Sequence, residues 1–241
     1  MDRRSAADLL GGLIPAARFT TSLILVINFG LYIACVIYAM QSGRGTGFDL
    51  DGRTIVRFGA SYPPFNLAGQ WWRLITAGFL HGGIMHILMN SWVLFDLGAQ
   101  VEEMFGQRRM IVIYIVSTIT GFAASTMWGH LSVGARAGIF GLIGAMIALG
   151  MQSQSMVGDA IKSHYTRWAV YSLIMGLLFP MTDMAAHIGG IIGGFGCAWL
   201  AGTPRLFDDA REKMWGILAG VAIAATAYSF LQMFLQFNRI G

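Results

Sequence analysis

Residues 132–145 read SVGARAGIFGLIGA. Gly134, Gly138, Gly141 and Gly144 and three alanines stand among Ile, Phe and Leu. Small residues spaced this way let one helix approach another backbone to backbone. Gly134 and Gly138 form a small-xxx-small pair, and Gly141 and Gly144 extend the same thin face. Into this run of small side chains the chain sets one guanidinium, Arg136. The stretch predicts close-packed helices, with a charge where only small groups are expected.

The rest of the chain is equally apolar. Of 241 residues, 56% are hydrophobic and 12% charged, and the mean hydropathy is +0.62. Soluble domains carry about 25% charged residues. With half that charge, the outer surface must be apolar too, which places the chain in a bilayer. The basic residues are scattered, so the net charge of +4 is no nucleic-acid footprint and reports orientation instead. Cys35 and Cys197 sit inside apolar runs and read as buried small hydrophobes.

Seven runs are candidates for membrane spans: 22–40, 79–98, 109–128, 137–151, 165–181, 184–201 and 215–237. The first reads as a retained signal anchor, because its apolar run is long and no small-x-small cleavage site closes it. The fourth and fifth are short for a crossing of about 20 residues, and Lys162, His164 and Arg167 separate them. With the N-terminus in the cytoplasm, ten of sixteen basic residues fall inside, as the positive-inside rule asks. Seven spans then put the C-terminus outside. Between Gln41 and Gly78 the chain is too apolar for a solvated loop and too broken by Pro63, Pro64 and Gly69 for a span. Trp71, Trp72 and Arg73 suit the headgroup boundary, and a segment half-sunk in the outer leaflet is expected.

Polar side chains inside spans are costly and mark function. The second span opens HGGIMHILMN, residues 81–90. His86 and Asn90 are four apart and share a helix face. His81 lies about 140° away round an ideal helix, unless it precedes the helix. The sixth span carries His187 followed by Gly189, Gly190, Gly193 and Gly194. Two glycine-faced helices, one bearing a histidine, can bring an imidazole within hydrogen-bond reach of a neighbouring hydroxyl. His86 and Asn90 could donate to an oxyanion. His81 and His86 lack a carboxylate or third histidine at ligand spacing, so neither a metal nor another cofactor is expected.

These residues resemble the rhomboid family of intramembrane serine proteases, from about Phe58 to Leu200. WWRLITAGFLHGGIMHILMN (71–90), LGAQVEEMFG (97–106) and AHIGGIIGGFG (186–196) occur in family order. The resemblance implies an all-α polytopic membrane protein with a rhomboid-like six-helix core and a seventh, C-terminal transmembrane helix. It divides the chain into a cytoplasmic arm (1–21), the core (22–201) and a linker with the added helix (202–241). By the same resemblance, His187 is the general base and His86 and Asn90 are oxyanion donors. His81 and Arg73 support the loop, Glu102 and Gly106 close the second helix, and Phe140 packs near the base. Gly134 matches the first glycine of the family's Gly-x-Ser-Gly motif, and Gly190 and Gly194 match its sixth helix. Arg136 stands at the serine position and Ala137 at the second glycine position.

A guanidinium stays protonated and has no lone pair for attack. It also opposes the charge an imidazole gains as general base. Ser125 and Ser132 are not expected to reach His187, and Arg136 is expected to meet water, with Asp183 or Asn90 as its partner. Two functions follow. In the first, a silent rhomboid binds transmembrane segments between the second and fifth helices without cutting them. In the second, the chain is an active intramembrane endopeptidase whose serine has been exchanged for Arg136. A channel is a third class, against which the missing inverted repeat counts. The short N-terminal arm points to a bacterial inner membrane.

Overall fold

The computed structural model describes residues 18–44, 48–178, 182–202 and 209–239. Most of the expected cytoplasmic arm, with Arg3 and Arg4, and the linker's Arg205 lie outside the described residues. Helix α1 spans Phe19–Gln41. A loop segment follows with three short helices, α2 (Gly52–Arg57), α3 (Pro63–Leu67) and α4 (Arg73–Thr76), and a 3-10 turn at Ala77–Phe79. The bundle continues with α5 (Ile84–Trp128), α6 (Arg136–Gln152), α7 (Met156–Leu178), α8 (Met184–Ala201) and α9 (Asp209–Gln236). Among the described residues four helices, α1, α5, α8 and α9, are long and apolar enough to cross a membrane.

The predicted spans 79–98 and 109–128 are two helical segments that meet at Gly106 with no loop between them and together make α5. Gly106 has φ 78° and ψ 161°, a backbone region open essentially to glycine alone, which costs a residue with a Cβ about 1–3 kcal/mol. One residue therefore makes the break for which the hydropathy pattern reserves a ten-residue connection. At its other end α5 starts at Ile84, and Leu80–Gly83 are loop. Helix α7 begins at Met156, nine residues before the expected 165. Ser155 Oγ accepts the Gly158 amide (3.1 Å), and Lys162 pairs with Asp159 at 2.7 Å. The charges that read as a connection thus decorate the helix's first turns.

At 17 residues α6 is short for a crossing, yet it is buried along nearly its whole length. It packs chiefly on α8 and α5, with α7 beside it. A helix wrapped by other helices need not match the bilayer's thickness. Its contact with α8 is backbone on backbone: a Cβ on Gly190 would strike the backbone of Ala137, and one on Gly194 that of Gly141.

Glu102 ties α1 to the core. Its buried carboxylate accepts the amides of Thr20 (2.8 Å) and Thr21 (3.0 Å) and the Thr21 hydroxyl (2.9 Å). Two of the four orphan amides at the start of α1 are thereby capped by a side chain some 80 residues away. Glu102→Ala strands both, and a loss of about 2–4 kcal/mol is expected, read as an earlier unfolding midpoint on titration with SDS. Unchanged unfolding would show that water caps α1 equally well.

The added helix α9 is held at both ends. Arg109 forks onto Glu212 at 2.7 and 3.0 Å and lies 5.6 Å from the Trp215 ring. At the other end Arg57 Nε donates to the Phe237 carbonyl (2.9 Å). The Phe237 ring packs edge-on against Phe58 and Tyr38.

Candidate active site

The start of α6 lies where the loop segment, α5 and α8 meet. Gly134 has φ 116°, and its amide donates to the Ala77 carbonyl (2.9 Å). A Cβ there would lie 2.5 Å from His86 Nε2 and 3.2 Å from Asn90 Nδ2. Glycine thus lets the turn before α6 rest directly on the His86/Asn90 face. Two residues on, Arg136 is the first residue of α6. Ala137, where the family motif has glycine, fits because Gly121 and Gly190 face it.

His86 is oriented by the backbone: the Gly82 amide donates to its Nδ1 at 3.4 Å. An Nδ1 that accepts leaves the hydrogen of the neutral ring on Nε2. Neither His86 Nε2 nor Asn90 Nδ2 has a hydrogen-bond partner, and both atoms are buried. Two unspent donors therefore converge beside Gly134, in an arrangement able to receive an oxyanion.

The His187 ring stacks on Phe140, with centroids 4.0 Å apart and planes 14° from parallel. It is 3% exposed, and neither ring nitrogen has a partner. No hydroxyl among the described residues hydrogen-bonds it. The Ser132 backbone pairs with Ser61, and the side chains of Ser125 and Ser132 turn to the Asp183 carboxylate, not to His187.

Two cavities meet at Arg136 and His187. One, of about 590 Å³, opens at the loop end of the bundle and reaches Asp49, His86, Ser132 and Asp183. The other, of about 600 Å³, lies between α5 and α7 and is walled by Asn90, Val93, Phe140, Trp168 and Met175. Arg136 is half-buried, and open space adjoins it on both sides. The expected contact with Asp183 or Asn90 is not made: no described residue forms an ion pair with Arg136. Asp183 instead caps α8 through the Ala186 amide (3.0 Å) and meets His130 at 3.4 Å, and its charge reaches Arg136 through space without a hydrogen bond.

The loop residues take places that spacing alone does not reveal. Arg73 is fully buried within the protein, so its side chain is not turned toward lipid headgroups. It donates to Val56 O (2.7 Å), Ala60 O (3.1 Å) and Gln70 Oε1 (2.7 Å), and its guanidinium lies between the Phe65 and Trp72 rings. Burial pushes its pKa down to about 10, still well above neutrality, so it remains a cation that gathers the loop. Trp71, by contrast, is 73% exposed and faces outward. His81 precedes α5 and sets its ring edge-on to His86, 5.1 Å between centroids. Burial, with Arg136 adding to it, pushes the His81 pKa down to about 4, so it is neutral at pH 7.

A multi-pass helical membrane protein with a histidine, two convergent donors and glycine-sealed helices is thereby defined. The rhomboid domain family model matches residues 68–204, more than half of the chain. Rhomboid protease GluP of Bacillus subtilis is 33% identical over 202 residues, covering 83% of this chain and 39% of that protein. Rhomboid-like protease 2 of Toxoplasma gondii is 31% identical over 225 residues, covering 86% of this chain and 77% of the relative. RHOMBOID-like protein 4 of Arabidopsis thaliana is 33% identical over 129 residues, 52% of this chain and 33% of its own length. The chain belongs to the rhomboid family. It spans well under half of the Bacillus and Arabidopsis relatives and most of the Toxoplasma one.

Proposed function

We propose that this rhomboid is catalytically silent and holds transmembrane segments without cutting them. The single observation that carries the reading is Arg136: a residue without a nucleophilic lone pair opens α6 and shares both cavities with His187. In this reading His187 is a base with nothing to deprotonate, and His86 and Asn90 are donors with no tetrahedral intermediate to receive. A client segment enters between α5 and α7, where the wall is apolar and Tyr171 and Met175 stand exposed. The protein sits in a bacterial inner membrane, N-terminus cytoplasmic and C-terminus external, which turns the loop-end cavity outward.

The test uses the purified protein in detergent with a helix-destabilised transmembrane substrate and a fluorophosphonate probe. No labelling and no cleavage are expected, while the substrate co-purifies with the protein. Cleavage by the unmodified protein that disappears in His187→Ala would overturn the proposal.

A further inference from the structure

We infer that the cavity between α5 and α7 selects client segments carrying a carboxylate inside the membrane, and that Arg136 is the residue that recognises it. The inference rests on the silent-binding reading and names the class of segment bound. Among the residues lining this cavity, Arg136 is the one formal charge; the rest are apolar or neutral polar. Its guanidinium has no hydrogen-bond or ion-pair partner among the described residues; Asp183, which lines the loop-end cavity, acts on it only through space. Asn90 is 7% exposed, lines the same cavity and leaves Nδ2 unpartnered. These are N–H donors facing apolar space, with the positive end of the α6 dipole behind them.

An apolar slot ending in a fork of donors matches one kind of occupant: an apolar helix with a single Asp or Glu. Such a residue is itself costly in lipid, and pairing here relieves both charges at once. Guanidinium and carboxylate can meet through two parallel hydrogen bonds, with Asn90 supplying a third donor. An apolar segment without the acid fills the slot and leaves the cation unpaired.

The experiment measures binding of two fluorescent single-span peptides to the full chain in neutral phosphatidylcholine nanodiscs at pH 8. The peptides are identical except for one Asp or Asn in the third of the span nearest the loop end. The Asp peptide is expected to bind about tenfold or more tightly, the factor typical of a hydrogen bond to a charged group. In Arg136→Met the two peptides should bind alike, and Arg136→Lys should keep part of the preference. The preference should fade as the pH falls through the raised pKa of a carboxylate in an apolar setting. Equal binding of both peptides by the unmodified protein, or a preference that survives in Arg136→Met, overturns this inference and leaves the silent-binding reading standing. Failure of both peptides to bind overturns the two together. Oleate in the discs is expected to leave peptide binding unchanged; displacement of the Asp peptide by equimolar oleate would assign the site to a lipid carboxylate and overturn the peptide assignment.

Discussion

Arg136→Ser is expected to turn a protein that does not react with fluorophosphonate into one that does, and to bring cleavage of a helix-destabilised substrate up from background by about 10³-fold or more. The substituted residue opens α6 beside Gly134, against which His86 Nε2 and Asn90 Nδ2 already converge without partners. His187 is held by its stack on Phe140 with both nitrogens unspent. A hydroxyl at 136 needs only a nearby base to become a nucleophile. Loss of the guanidinium also removes the charge that opposes an imidazolium at 187. Three controls make the outcome specific. Arg136→Ala should stay silent, because it removes the cation without adding a nucleophile. Adding His187→Ala to the serine variant should abolish labelling, and adding Asn90→Ala should lower cleavage about 10²-fold, the usual effect of one oxyanion donor. A serine variant that folds, binds substrate and remains unlabelled would mean that His187 is not placed to act as a base.

Several features of the site could be read from the residues because each depends on local spacing. His86 and Asn90 share a face because they are four apart, and the glycines at 190 and 194 recur at the interval that seals α8 to α6. Arg136 announced itself by being the wrong size and charge for its neighbourhood. Other features involve partners that leave no complementary trace in the sequence. Glu102 binds backbone amides at Thr20 and Thr21, and every residue but proline offers an amide. Arg73 likewise spends its hydrogen bonds largely on carbonyls, so its burial cannot be inferred from a search for nearby acids. Gly106 shows a further limit. A hydropathy average over some twenty residues sees a charged interval around Glu102, Glu103, Arg108 and Arg109, whereas the helix is interrupted at one dihedral angle. Lys162 misleads in the opposite sense: paired with Asp159 on α7, it looks like part of a polar connection.

Two neighbouring glycines of α8 should respond to the same substitution with opposite sign. A Cβ on Gly194 would overlap the carbonyl carbon and oxygen of Gly141, atoms of a backbone that cannot rotate aside. Gly194→Ala therefore has to part α8 from α6, and a loss of about 1–3 kcal/mol is expected, as for other overpacked interiors. At Gly196 nothing lies within 4 Å of the added methyl, so Gly196→Ala should gain up to about 1 kcal/mol from the helix preference of alanine over glycine. SDS titration of the two variants beside the unmodified protein measures both shifts. The Gly194 change should also reach the site. Because α8 carries His187 and α6 begins with Arg136, parting them displaces base from nucleophile position, and in the Arg136→Ser background Gly194→Ala should reduce cleavage while Gly196→Ala leaves it unchanged. Equal effects of the two substitutions on stability and cleavage would mean that α6 and α8 are not packed backbone to backbone, and the site built on their contact would have to be redrawn.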